Sequence, residues 1–298
     1  MIFWLRNTIK EGIIRNRIHV VTCASIASWA WSQLINTSIS GLQILTIFVT
    51  MFCIYGWNRL YDSEEDEINS PKRPPKSRYS KLLLFYGSIF GTAFCLTLTL
   101  STGNADSLWL LAAVALLGFL YSTPLPYIPQ NKIRLKNIPV VKNISSSIGW
   151  SLLVIFFPAV HAYQQVTIQH WIAAGLMFGA VWMVELIWDI RDQQGDRSAK
   201  VQTIPVLKGL ERTQTWIFTI NSLSVLGLFL AYAMEAVPAY WLLILFNNLL
   251  VYAWLSQDKQ MLMNRSRSHL LIGLQTLLLL LLGYIAAYSH WGLQIQLV

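Results

Sequence analysis

Asn58, Asp62 and Asp66 stand four residues apart where an apolar run closes at Trp57, with Glu64 and Glu65 between the two aspartates. On a helix that spacing makes one stripe, about one turn per step. Asp189, Asp192 and Asp196 repeat the device after a second apolar run, Trp171 to Trp188, and Glu185 extends that stripe back into the run. Charged residues are only 12% of the chain, so two acid clusters at the ends of apolar runs need a chemical reason. A carboxylate costs several kcal/mol to desolvate unless something positive meets it. Two carboxylates on one face suit a hard divalent cation, and Mg²⁺ usually takes one or two carboxylates together with substrate phosphates. Two such stripes facing each other across a cavity would hold two metal ions between them.

Basic residues lie beside these acids: Arg73, Arg134, Lys136, Lys142, Arg197 and Lys200. Acids, a metal and bases together make a diphosphate site, in which the metal bridges carboxylate and phosphate oxygens and Arg and Lys neutralise the remaining charge. A diphosphate held at the mouth of an apolar cavity points to an isoprenyl diphosphate. Departure of its diphosphate leaves an allylic cation, which aromatic faces stabilise. Tyr61, Tyr121, Trp150, Trp182 and Trp188, near the polar ends of apolar runs, are the candidates.

The elements that must position these residues are membrane spans. Of 298 residues 55% are hydrophobic, the mean hydropathy is +0.48, and apolar runs of about 18–20 residues recur. The expected architecture is all-α: a polytopic bundle of nine transmembrane helices around a central cavity, as a single domain over 1–298. The expected spans are about 18–36, 39–57, 82–101, 108–121, 144–163, 171–188, 216–234, 240–255 and 270–288. Residues 1–17 are basic and amphipathic, with no small-residue cleavage site after a short apolar core, and read as an interfacial segment on the membrane surface. With nine spans, all 22 Lys and Arg residues fall on the side of the N-terminus and of the loops after spans two, four, six and eight. The positive-inside rule then puts the N-terminus and both acid stripes in the cytoplasm. That asymmetry accounts for the net charge of +8 without nucleic acid, for which no basic–aromatic module is present.

The motifs resemble those of a known superfamily. Asn58-x-x-x-Asp62-x-x-x-Asp66, continuing through Asn69, Pro71, Arg73 and Pro74, looks like the first motif of the UbiA superfamily of intramembrane prenyltransferases. Asp189-Ile190-Arg191-Asp192-x-x-Gly195-Asp196-Arg197, followed by Thr203-Ile204-Pro205-Val206-Leu207 and Gly209, is similar to the second. Tyr121-Ser122-x-Pro124 with Arg134-Leu135-Lys136-Asn137 resembles the connecting-loop motif. The resemblance implies that Asp62, Asp66, Asp192 and Asp196 hold two Mg²⁺ ions, with Asn58 and Asp189 assisting. It implies that Lys136 and Arg134 contact the diphosphate; Asn58, Tyr121, Arg73, Lys142 and Arg197 are the further candidates around it. This chain departs from the family in carrying Arg59 directly after Asn58, in a longer connecting loop (Tyr127 to Lys132 between its halves), and in lacking the Arg-Pro near the start of the first span.

The function expected is Mg²⁺-dependent transfer of an isoprenyl group from a prenyl diphosphate to an aromatic or other lipophilic acceptor within the membrane. The alternative is a membrane terpene cyclase of the same superfamily, in which the cation is quenched within its own chain; the Glu65-Asp66 pair resembles some of those cyclases. A Mg²⁺ or phosphate transporter would place ionisable residues deep in several spans, whereas charges here stop at the cytoplasmic ends apart from Glu185. His19, His161, His170, His269 and His290 show no ligand spacing and read as interfacial or packing residues, and Cys23, Cys53 and Cys95 as packing residues within apolar runs. Asp106 and Glu235 read as solvated turn residues on the far side.

Overall fold

An apolar stretch crossing a hydrocarbon layer about 30 Å thick must satisfy every backbone N–H and C=O within itself, which leaves the helix as the form for these runs. The computed structural model describes residues 17–61, 78–124, 134–198 and 201–295, and it is helical without a strand among the described residues. Asp62, Asp66 and Arg73, the first 16 residues of the interfacial segment, and the long part of the connecting loop lie outside the described residues. The helices are α1 (Ile18–Ile35), α2 (Gly41–Tyr61), α3 (Arg78–Thr102), α4 (Ala105–Ser122), α5 (Val141–His161), α6 (Ile168–Ser198), α7 (Ile204–Lys208), α8 (Leu210–Ala233), α9 (Leu245–Leu255), α10 (Lys259–Leu262) and α11 (Arg265–Ile295).

Among the described residues, eight of these helices are long and apolar enough to cross a membrane: α1 to α6, α8 and α11. The eighth expected span, 240–255, is present as the apolar helix Ala239–Leu255, shorter than the other eight, with a 3-10 segment Ala239–Ile244 leading into α9. Pro238 stands at its start, where a missing N–H costs no helical hydrogen bond. Tyr240 Oη and Trp241 Nε1 each donate to the Leu34 carbonyl at 3.1 Å, one of the acceptors left open at the end of α1.

Small residues bring α1 deep into the bundle. Ala24, Ala27 and Ala30 are buried, and Gly283 of α11 lies so close that a β-carbon on it would sit 2.8 Å from the Ala30 α-carbon. Close backbone approach of this kind is what packs helices in lipid, where apolar burial alone supplies no driving force. One apolar cluster joins α1, α2, α5 and α6 through Val21, Trp31, Ile47, Leu153, Phe157 and Met177. A second joins the later half of α6 to α8, α9 and α10 through Leu186, Ile190, Ile217, Trp254 and Leu262.

Two local features aim the site. In α5 one turn widens to a π-helix at Leu152–Phe156, just before Pro158, and Ser28 Oγ of α1 donates to the Val154 carbonyl there at 3.1 Å. Such bulges arise where proline disturbs the helical ladder, and a neighbouring hydroxyl meets the freed acceptor. At the start of α4, Asn104 and Ser107 form a reciprocal capping box. On this far end His161 bonds Gln43 and Thr102, each at 3.1 Å, and His170 bonds Thr37 at 3.0 Å, so both histidines are packing residues, as their sequence positions suggest.

Candidate active site

The site forms where the other ends of the helices converge. α6 is 31 residues long, about 46 Å, so its last turns run past the hydrocarbon. The three-then-four spacing stays helical, and Glu185, Asp189, Asp192 and Asp196 all line one cavity of about 220 Å³. α2 brings Tyr55, Asn58 and Arg59 to it, and the end of α4 brings Tyr121. A 3-10 turn, Leu135–Asn137, contributes Lys136, and the start of α5 contributes Lys142, Ser146 and Trp150. The remaining wall comes from the starts of α1 and α11: Arg17 and His19, Arg265 and His269.

The polar groups are cross-linked. Lys142 Nζ donates to Asp189 Oδ1, with side chains 18% and 4% exposed. Ser146 Oγ donates to Glu185 Oε1 at 3.0 Å. Arg191 takes Asp192 in a two-pronged pair, and Arg265 Nη2 reaches the same carboxylate at 3.4 Å. The guanidinium carbons of Arg17 and Arg191 sit 5.8 and 5.7 Å from the centre of the Trp188 ring, within cation–π range. Ser122 Oγ donates to Asn58 Oδ1 at 2.7 Å and orients that amide, while Arg134 Nη1 donates to the Tyr61 carbonyl at 3.3 Å.

Of the expected site residues, the structure brings together Asn58, Tyr121, Lys136, Lys142, Asp189, Asp192 and Asp196. Arg134 stands beside them at the end of α2. Arg197 is exposed and outside the cavity lining, because one residue past Asp196 is a turn of about 100° around the helix. Of the aromatic candidates, Tyr121, Trp150 and Trp188 line the cavity, whereas Trp182 packs edge-on against Phe178 and Trp216, and Tyr61 packs on Trp57. Sequence reasoning missed Arg17, His19, Arg191, Arg265 and His269 as cavity residues. The placement of all bases on one side was a signal for the arginines; the two histidines carried none.

Whether these residues fit a divalent ion is tested by the second oxygen of Asp189. Asp189 Oδ2 is buried without a hydrogen-bond partner among the described residues, although its sister oxygen is paired. A carboxylate oxygen left open in a cavity of carboxylates and bases fits a hard cation. Among the described residues no group of three His, Cys, Asp or Glu side chains is gathered tightly enough to hold a metal alone; Asp62 and Asp66 lie outside them.

A second cavity of about 160 Å³ adjoins the first and is almost wholly apolar, with Ala27, Trp31, Met177, Val181, Ile244 and Leu279 in its walls. Tyr55, Trp150, Glu185 and Trp188 line both, so they mark the junction of a charged compartment and an apolar one.

The model of the UbiA prenyltransferase family matches residues 19–279. The chain belongs to the UbiA prenyltransferase family. A digeranylgeranylglyceryl phosphate synthase of Methanospirillum hungatei is 28% identical over 197 residues, 61% of this chain; the chain spans 63% of that relative's length. Among solved structures, a chain from a study of digeranylgeranylglyceryl phosphate synthase in membranes has a TM-score of 0.67 at 19% identity, covering 95% of this chain and 99% of its own. A UbiA homologue from Archaeoglobus fulgidus bound to DMAPP and Mg²⁺ has a TM-score of 0.65 at 17% identity, covering 92% and 98%. The same homologue has also been solved with GPP and Mg²⁺, with a TM-score of 0.63 at 15% identity and the same coverage. The UbiA fold is thus the multi-pass helical membrane fold of this chain.

Proposed function

We propose that this UbiA family member transfers an isoprenyl group from a prenyl diphosphate to a lipophilic acceptor in a Mg²⁺-dependent reaction within the membrane. The observation that carries this reading is the joined pair of cavities: a compartment of acids and bases opening into an apolar one. An amphiphile with a charged head and a hydrocarbon tail is complementary to that pair. Asp189, Asp192 and Asp196, with Asp62 and Asp66 of the first motif, are the residues that would hold Mg²⁺, which supplies charge neutralisation for the departing diphosphate. Lys136 and Lys142 line the charged compartment and would neutralise phosphate oxygens that the carboxylates cannot face, with Arg134 beside them. Asn58 and Tyr121 would orient the head group, and Arg73 of the first motif is a further contact from sequence. Tyr55, Trp150 and Trp188 present aromatic rings at the junction, where positive charge develops on C1 as its bond to oxygen breaks. The positive-inside asymmetry supports a cytoplasmic placement of this mouth and of the N-terminus.

The name of the Methanospirillum relative makes geranylgeranyl diphosphate and a glyceryl phosphate lipid the first substrates to try. The test is pyrophosphate release by the purified full-length protein with Mg²⁺ and geranyl, farnesyl or geranylgeranyl diphosphate, with and without acceptor. Release that depends on both metal and acceptor, with a prenylated acceptor recovered, is expected. Steady formation of a cyclic hydrocarbon without acceptor would replace transfer by cyclisation, and no release from any prenyl diphosphate would end the reading.

A further inference from the structure

His19 of α1 and His269 of α11 come from opposite ends of the chain, yet their rings meet edge to face with centroids 5.4 Å apart, in the wall of the charged compartment. Asn264 fixes the start of α11, its Oδ1 accepting from the Ser266 and Arg267 amides at 2.9 and 3.3 Å. His269 stands one turn further along than Arg265, the residue that reaches Asp192. One turn further in on α1 and two turns further in on α11, Cys23 and Thr276 line the apolar compartment and touch at 3.3 Å. The imidazole pair therefore sits at the level where charged and apolar compartments meet. With a diphosphate in the first and an isoprenyl tail in the second, the C1–oxygen bond lies at that level by construction.

Transfer to an acceptor releases a proton, and a base must take it. Of the four carboxylates that line the cavity among the described residues, Asp189 is paired with Lys142 and Asp192 with two arginines, Asp196 is among the residues that would hold Mg²⁺, and Glu185 accepts from Ser146. His269 lines the cavity beside Arg17, Arg191 and Arg265, meets the His19 ring edge to face, and makes no hydrogen bond among the described residues. A neutral imidazole offers a nitrogen lone pair to a proton, and the acceptor's proton is strongly acidic once its atom has bonded to C1.

We propose that His269, held edge-on by His19, is the catalytic base that takes the acceptor's proton, which makes the acceptor a molecule that loses an O–H or aromatic C–H proton on prenylation; this rests on the transfer reaction proposed above. The bond from C1 to oxygen breaks with its electron pair leaving on diphosphate. The acceptor's oxygen or ring carbon bonds to C1, and its proton passes to a ring nitrogen of His269, then to water. His19 is a positioning residue that fixes the plane of the His269 ring.

The experiment uses full-length protein in detergent with Mg²⁺, geranylgeranyl diphosphate, and as acceptor 4-hydroxybenzoate or a geranylgeranylglyceryl phosphate, whichever the wild type prenylates. His269→Ala is expected to lower kcat about 100-fold or more, with the affinity for a non-reacting thiolodiphosphate analogue unchanged and activity partly restored by millimolar imidazole. His269→Gln keeps the side chain's bulk without its basicity and should show the same loss without rescue; it reads the result even if the alanine variant does not fold. His19→Ala should lower kcat less than His269→Ala. Near wild-type kcat in either His269 variant, or a loss in His269→Ala that imidazole does not relieve and that tracks weaker analogue binding, would overturn the proposal. A wild-type protein that releases no pyrophosphate from any prenyl diphosphate would instead overturn the transfer reaction beneath it.

Discussion

Replacing Lys142 by Met tests whether the cavity wall is held by its buried ion pair. Asp189 is 4% exposed in its side chain and Lys142 18%. Met keeps most of the lysine stem and removes only the charge. The Asp189 carboxylate then has neither its cation nor, on Oδ2, any partner among the described residues. Removing one member of a buried pair costs about 3–5 kcal/mol, most of it from stranding the other charge. Lys142 is partly open to the mouth, where water relieves some of that cost, so the lower end, about 3 kcal/mol, applies. At about 2–4 °C per kcal/mol for a chain of this size class, the melting temperature should fall by about 6–12 °C. A thiol-reactive dye in detergent, on protein with the partly exposed Cys23 replaced by Ser, is a direct assay, because Cys53 and Cys95 are 3% and 1% exposed and react only on unfolding. Lys142→Met with Asp189→Asn leaves no stranded charge and should recover at least half of the loss. Lys208→Met, at an exposed lysine, should stay within about 2 °C. A single Lys142→Met variant that melts with the wild type, or a double variant no better than the single, would refute the reasoning.

Asp62→Asn, Asp66→Asn, Asp192→Asn and Asp196→Asn should each reduce turnover at least about 100-fold in protein that still elutes as a folded species. Asp106→Asn, in the first turn of α4 at the far end, should be silent, and any of the four that keeps near wild-type turnover drops out of the site. Single cysteines in a cysteine-free background at Ser63 and Ser198 should label only after the membrane is opened, and those at Asn104 and Gln165 in intact cells; labelling of Ser63 from outside would invert the topology. Gly283→Val should destabilise by about 1–3 kcal/mol, since its side chain would meet the Ala30 backbone, while Gly273→Ala, where a β-carbon meets nothing, should not. Equal melting of these two variants would show that the α1–α11 contact is not set by that glycine.

The spans and the second acid stripe were legible because both depend on local pattern. Apolar length dictates a spanning helix whatever its neighbours do, and Asp189, Asp192 and Asp196 share a face as long as α6 stays helical past Trp188, which it does to Ser198. Lys136 and Lys142 were legible as cations on the acid side, but their partners were not: Lys142 faces a carboxylate 47 residues away, and no spacing encodes that. The imidazole pair was illegible for a stronger reason. His19 and His269 meet because α1 and α11 pack through Ala30 and Gly283, and such small-residue contacts leave no hydropathy signature. The 3-10 start of the eighth span was hidden likewise, since the turn after Pro238 changes rise per residue without changing apolarity.

Depth along α6 explains how one helix serves both compartments. Counted from Ile168, about 20 residues cover the hydrocarbon, which brings Trp188 to the interface, where tryptophan is favoured. Asp189, Asp192 and Asp196 then fall in the interfacial layer, where water and neighbouring cations limit the cost of ionisation. Glu185 alone lies about one turn inside, and there Ser146 donates to it. Met177, Ala180 and Val181, deeper still, line the apolar compartment. A prenyl diphosphate arriving from the bilayer would keep its tail at hydrocarbon depth and its head at interface depth throughout, so binding requires neither end to change its solvent class. An acceptor that must reach C1 would approach at the same level, which is the level of His19 and His269 on the α1–α11 wall.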